Sequence, residues 1–219
     1  MDFTTHKPVT IITGRGCISG NAGLLAQCGK RALIVSVRNG ASLSGAFSDM
    51  AAALEKAGCT YIRYNCIPET PPAPMCHEGG ELARQENCDF IVAIGGGSAL
   101  DAGKAIAGYA ANPQCGIDDI FDDAKRVHDC LPIVCVPTTA GTGSEACRYA
   151  VLTIDDGRKK KTFKHSSAYA RFSFVDPAYT ESLSTEYTVS TALDALAHAI
   201  ESYFSPKSCE VSENAAVYA

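Results

Sequence analysis

Asp194 and His198 stand four residues apart in the stretch TALDALAHAIESY, residues 191–203. A helix turns every 3.6 residues, so a carboxylate and an imidazole at this spacing share one face. The pair can form a helix ion pair. It can also supply two arms of a divalent-metal site, because carboxylate oxygen and neutral imidazole nitrogen both ligate such ions. The motif alone does not choose between these readings. Leu193, Leu196, Ala197, Ile200 and Phe204 mark an apolar stripe beside the pair, which predicts that this side of the helix is buried.

A second stretch that could do chemistry runs from strand into helix. DFIVAI, residues 89–94, reads as a buried strand, Gly95-Gly96-Gly97-Ser98 as a turn, and the residues from Ala99 to Ile106 as a helix. Glycines let the backbone approach a ligand closely, and unpaired N–H groups at a helix start favour an anion. The arrangement predicts a pyrophosphate seat; a tight turn with no ligand is the other reading. Gly14, Gly16 and Gly20 also follow a short strand, but the last glycine falls one position late for a dinucleotide fingerprint, so this stretch reads as a turn. PTTAGTGSE, residues 137–145, places hydroxyls and glycines after another strand. Hydroxyls there can bond a ribose or a nicotinamide carboxamide, although such loops often serve only as turns.

The elements that must position these residues follow an alternating pattern. Strands are predicted over 9–12, 32–37, 60–64, 90–94 and 133–136, and helices over 21–28, 43–57, 73–87 and 98–110. Short β-branched runs between helical patterns indicate an α/β fold with a mostly parallel, Rossmann-like sheet. The proline-rich stretch 68–74 reads as a loop. Beyond Asp176-Pro177 no strand pattern is evident, and Ser184 onward reads as helix. This places a boundary near residue 182, with an α/β domain over 1–182 and the beginning of a helical domain over 183–219.

Composition excludes several classes of partner. Nineteen Lys and Arg against 24 Asp and Glu give a net charge of -5, and the only basic run is Arg158-Lys159-Lys160-Lys161, so neither nucleic acid nor a membrane surface is an expected partner. The 11 cysteines include no C-x-x-C pair, and several, such as Cys135, lie inside apolar runs. That usage, with no signal-peptide pattern and no apolar run of membrane-spanning length, predicts reduced thiols in a cytoplasmic protein.

Three motifs now stand in one order: GGGSALDAGKAIA at 95–107, PTTAGTGSEA at 137–146 and DALAHAIESY at 194–203, with VDPAYT at 175–180. Together they closely resemble the iron-containing (group III) alcohol dehydrogenase family, over essentially the whole chain. The resemblance implies an N-terminal dinucleotide-binding domain, a C-terminal helical domain and an active site between them. Carried over by position, Gly96, Gly97 and Ser98 would contact the pyrophosphate, Asp101 would line the nicotinamide side, and Thr138, Thr139 and Thr142 would hold the cofactor from the other loop. The family also places a cofactor-contacting lysine in the basic run, which points to Lys160, with Lys161 as the near alternative. Asp194 and His198 match the first two ligands of the family's metal site. The implied reaction passes hydride between NAD(P)(H) and a small primary alcohol or aldehyde, with a divalent ion, Fe2+ first, as Lewis acid on the substrate oxygen. A homo-oligomer is the implied assembly of the full-length protein.

The sequence departs from that pattern at informative places. The family draws two further histidine ligands from later in the helical domain, and none of His6, His77, His128 and His165 matches them. The expectation is an N-terminal portion or truncated product, inactive alone. After the strand 32–37 stand Arg38, Asn39 and Gly40, with no acid to bond ribose hydroxyls. Arg38 and Ser36 could accept a 2′-phosphate, which favours NADP over NAD. Glu69 replaces an asparagine that many members hold near the ribose. Alternatives within enzymes are a glycerol-dehydrogenase-like relative using zinc and a metal-free maleylacetate reductase; the motif wording disfavours the first and the Asp194/His198 pair the second. A non-catalytic dinucleotide-binding module is the alternative of another class.

Overall fold

The computed structural model describes residues 7–38, 42, 44–126, 128–154 and 159–219. Among these the strands are β1 (Thr10–Thr13), β2 (Arg31–Val37), β3 (Thr60–Ile67), β4 (Phe90–Gly95), β5 (Ile133–Pro137), β6 (Tyr149–Ile154), β7 (Lys159–Lys164) and β8 (Phe172–Val175). The α-helices are α1 (Cys17–Gly20), α2 (Ala46–Lys56), α3 (Ala73–Gln85), α4 (Gly97–Ala111), α5 (Thr185–Phe204) and α6 (Glu210–Tyr218). Six strands form one sheet in the order β1-β8-β5-β4-β2-β3, every pair parallel, and β6 and β7 form a separate antiparallel ribbon.

The central strands are apolar along their whole length because both faces of the sheet are covered. Successive side chains point to opposite faces. Leu33, Val35, Ile91, Ala93, Ile133 and Cys135 pack into a core with α3 and α4. Ala32, Ile34, Val92, Ile94, Val134 and Val136 pack on the other side with Met50 and Leu54 of α2. Glycine permits the closest helix approach: a Cβ on Gly103 of α4 would lie 2.5 Å from the Cβ of Ala93 on β4. After β2 the chain moves outward to β3, whereas after β4 it moves the other way to β5. The crevice at the carboxyl ends of β2 and β4 is therefore the topological switch point, where open α/β sheets bind ligands.

All five expected strands form, each within a few residues of its expected bounds. The expected helix over 21–28 is instead a 3-10 helix, Ala22–Gln27. β6, β7 and β8 went unanticipated: four lysines in KKKTFK leave Phe163 as the only buried residue of β7, and FSFV of β8 is very short. Arg158, Leu43, Asn39 and Gly40 lie outside the described residues. Gly14 and Gly16 do form a turn, with φ of 132° and 69°. The Gly16 N–H donates to Asp176 Oδ2 at 2.7 Å, so the chain's own carboxylate occupies the position an anion would take.

The expected burial of the apolar stripe on α5 is corrected. The helix forms, with the Ser184 side chain accepting from the Tyr187 N–H at its start, yet none of its residues is buried. Leu193, Leu196, Ile200 and Phe204 are 59%, 54%, 51% and 77% exposed. Helical periodicity reports which side wants a partner, and among the described residues α6 and the loop at Gly141 lie against α5 without burying any of its residues.

The cysteines are all unpaired, and most are buried. Burial pushes the thiols of Cys28 and Cys130 up to about 11 and that of Cys135 up to about 12. Unfolded thiols titrate near about 8.5, so the unfolded chain releases these protons first. The stability they allow is intact below that pH and declines as pH rises toward the folded values. A urea midpoint that holds steady between about pH 7 and 8 and then falls progressively between about pH 9 and 11 is the expected result. A midpoint unchanged up to about pH 11 would contradict the burial of these thiols.

Candidate active-site cleft

The cleft is built where β4 and β5 end. Gly95 turns the chain out of β4 at φ 148°, and α4 begins at Gly97 with no side chain capping its start and no acid in its first turn. Its first N–H groups thus face the switch point without a side-chain acceptor, the arrangement that favours a bound anion. The threonine loop after β5 lies directly against this turn. A Cβ on Gly96 would meet Thr139 Oγ1 at 3.2 Å, one on Gly97 would meet Thr142 Cγ2 at 3.0 Å, and the Thr138 N–H donates to the Gly95 carbonyl at 3.0 Å.

Two adjoining cavities extend from this junction. The first, of about 680 Å³, is lined by Gly96, Gly97, Ser98 and the three threonines Thr138, Thr139 and Thr142, with Arg38 at its β2 end. The second, of about 560 Å³, shares Gly97, Ser98 and Thr142 and adds Asp101, Lys160, Asp194 and His198. Glu69 borders both, and its carbonyl accepts from the Ser98 hydroxyl. The nine residues expected to hold a dinucleotide, together with the Asp194/His198 pair, thus line two cavities that share a wall, each of the size small-molecule sites occupy.

The structure separates Lys160 from Lys161 by strand alternation. Lys160 pairs with Thr153 across the ribbon and both line the second cavity. Lys161 points the other way, to Asp118 Oδ1 at 3.1 Å and over the Phe121 ring. Ser36 is corrected: at 1% exposure it is sealed into the sheet and borders neither cavity, whereas Arg38 lines the first. Asp101 reaches the cleft, but its oxygens are already engaged. Oδ1 accepts from Ser144 Oγ at 2.6 Å, Oδ2 accepts from the Val151 N–H at 2.9 Å, and Lys104 Nζ lies 3.6 Å from Oδ1.

Asp194 and His198 meet as their spacing requires, with Oδ1 and Nε2 3.8 Å apart and each side chain about half exposed. His198 Nδ1 lies 3.3 Å from the Gly141 carbonyl, which can accept its proton and leave the Nε2 lone pair toward Asp194. Gly141 is essential to this contact: its φ is 139°, and a Cβ would stand 2.4 Å from the Thr191 carbonyl of α5. The pair fits two positions of a metal's coordination sphere. Among the described residues no three His, Cys, Asp or Glu side chains converge, so these residues do not by themselves form a complete metal site. Sequence reasoning missed Gly141 and Lys104; the latter was signalled by a lysine one turn after Asp101 in an otherwise apolar helix.

A doubly wound parallel sheet with an uncapped glycine turn at its switch point, facing a helical carboxylate–imidazole pair, defines an α/β ligand-binding domain of the dinucleotide-fold type. The iron-containing alcohol dehydrogenase family model matches residues 8–177. The chain belongs to the iron-containing alcohol dehydrogenase family. It is 33% identical over 202 residues to choline dehydrogenase of Bacillus subtilis, covering 91% of this chain and 50% of that protein. It is likewise 33% identical over 213 residues to NAD-dependent methanol dehydrogenase of Bacillus methanolicus, covering 97% and 55%. The crystal structure of an iron-containing alcohol dehydrogenase from Thermotoga maritima superposes with a TM-score of 0.93 at 33% identity, covering 99% of this chain and 59% of the other. The chain spans about half the length of the curated relatives it matches.

Proposed function

We propose that this chain is the cofactor-binding half of a cytoplasmic, metal-dependent alcohol dehydrogenase that moves hydride between a nicotinamide dinucleotide and a small primary alcohol or aldehyde. The observation that carries the reading is the uncapped start of α4 at the switch point, opening into a cleft that also holds Lys160, Asp194 and His198. In this reading the N–H groups of Gly97 and Ser98 seat the pyrophosphate, and Thr138, Thr139 and Thr142 close over it from the β5 side. Asp101 and Lys160 flank the nicotinamide end. Asp194 and His198 offer two donors to a divalent ion, Fe2+ first, whose remaining donors must come from outside these residues. The family name and the alcohol dehydrogenases among the relatives support the substrate class. The full-length protein is proposed to assemble as a homo-oligomer, with the domain boundary near residue 182.

Arg38 on the rim of the first cavity, in a sequence (Arg38-Asn39-Gly40) that offers no acid directly after β2, supports NADP over NAD. The test is direct binding of each reduced cofactor to the chain, followed by nicotinamide fluorescence. NADPH should bind at least about tenfold tighter than NADH, because a guanidinium pairs with a phosphate dianion but gains little from a hydroxyl. Arg38→Ala should remove that preference and leave NADH affinity unchanged. Equal affinity for both cofactors would refute the NADP preference, and no binding of either would refute the dinucleotide site.

One observation favours a second reading, a dinucleotide-binding module without catalysis: Asp194 and His198 have no third donor among the described residues. Aldehyde reduction by this chain after addition of Fe2+ would exclude it.

A further inference from the structure

Lys104 has no solvent exposure, yet it belongs to a helix that is otherwise apolar around it. Its ammonium group donates to Ser144 Oγ at 2.6 Å and to the Tyr149 carbonyl at 2.8 Å, with Cys147 Sγ at 3.7 Å and Asp101 Oδ1 at 3.6 Å completing its surroundings. Ser144 Oγ in turn donates to Asp101 Oδ1, and the Val151 N–H donates to Asp101 Oδ2. One buried cation and one carboxylate therefore hold residues 144, 149 and 151 against α4. These residues continue the threonine loop, and the Ser144 N–H reaches back to Thr142 Oγ1 at 3.3 Å. Asp101 is the member of the network that reaches the cleft, with 17% of its side chain exposed beside Lys160, Asp194 and His198.

We infer that Lys104 is a positioning residue for the dinucleotide. Through Ser144 and Asp101 it fixes the threonine loop over the cleft, and its charge balances the Asp101 carboxylate that faces the nicotinamide end. The inference rests on the dinucleotide reading proposed above. Its consequence lies in the difference between the two cofactor forms, because the oxidised ring is cationic and the reduced ring neutral. With Lys104 present the Asp101 carboxylate is balanced by the ammonium group behind it. Without it, the unbalanced carboxylate attracts the cationic ring through a low-dielectric site.

The test is Lys104→Met, which keeps the length of the side chain and removes the charge. NADPH affinity is read by fluorescence and NADP+ affinity by competition. Both should weaken, NADPH more, so that the ratio of the NADPH Kd to the NADP+ Kd rises by about fivefold. In Lys104→Met combined with Asp101→Asn the ratio should return to the wild-type value, because the two residues act as one unit. Equal weakening of both forms, or unchanged affinity, overturns the inference. The tether is read separately by amide hydrogen exchange, which should quicken at least about tenfold across residues 142–151 while β4 stays protected. Unchanged protection there overturns it whether or not dinucleotide binds. Failure of the wild-type chain to bind either form counts instead against the proposed function. If Lys104→Met does not fold, Ser144→Ala breaks the same bridge while keeping both charges, so exchange across residues 142–151 should quicken with the cofactor ratio at its wild-type value, and unchanged protection there overturns the inference.

Discussion

Gly103→Val is expected to lower the melting temperature of the chain by at least about 6 °C, the largest stability loss of any single substitution argued from this structure. Gly103 sits in the middle of α4, where a Cβ would stand 2.5 Å from Ala93 Cβ and 3.6 Å from Ile91 Cγ2. Real carbon atoms do not approach so closely, so helix and strand must separate. α4 is the most deeply buried helix, packed on β4 and flanked by α3, and it cannot move without opening the core on that face. Two opposing effects apply to the milder Gly103→Ala. Alanine gains about 1 kcal/mol of helix propensity over glycine, while overpacking a closed core costs about 1–3 kcal/mol. The net is a loss of about 0–2 kcal/mol, or at most several degrees for a chain of this size. Valine adds two methyl groups to the same clash and forfeits most of the propensity gain, which takes the cost beyond about 3 kcal/mol of a total near 5–15. Gly23→Ala is the control, since a Cβ there meets nothing within 4 Å. Thermal unfolding of the three variants checks the ordering; a Gly103→Val protein as stable as the wild type would show that α4 does not pack on β4 as described.

What the sequence disclosed follows from how local each signal is. β4 and β5 are apolar runs that end in glycine or threonine, and both the strands and the turns after them were legible because every residue reports the same environment. β7 was not, because all four of its lysines are exposed and its burial rests on Phe163, whose partner strand is known only from the fold. The stripe on α5 was legible as periodicity but not as exposure, since periodicity says which side is apolar and nothing about what covers it. The candidate site divides in the same way. Gly96, Gly97, Ser98 and the threonines announce themselves by type and position. Lys104 and Gly141 act through contacts with residues far along the chain, Ser144 and Tyr149 for one and Thr191 for the other, and such contacts exist only once the sheet has folded. Strand alternation adds what spacing does not carry, by turning Lys160 into the cleft and Lys161 toward Asp118.

Gly97→Val is expected to weaken dinucleotide binding by at least about 100-fold, a loss of about 2.7 kcal/mol, while leaving the fold nearly intact. Gly97 is the first residue of α4, at the meeting of the glycine turn and the threonine loop, where a Cβ already lies 3.0 Å from Thr142 Cγ2. The valine methyl groups would occupy the gap through which a pyrophosphate approaches the helix N–H groups, and those hydrogen bonds are charge-assisted, so losing their geometry is costly. Folding should suffer far less than in Gly103→Val, because Gly97 is only half-buried, its backbone does not need the left-handed region, and its neighbour is the half-buried side chain of Thr142 rather than a closed core. Ser98→Ala separates backbone from side chain: the Ser98 hydroxyl is already committed to the Glu69 carbonyl, so its removal should cost no more than about threefold. Cofactor fluorescence titration alongside a melting curve reads both variants. Wild-type affinity in Gly97→Val would move the phosphate seat away from α4, and equal losses in the two variants would mean that the hydroxyl, rather than the helix start, holds the anion.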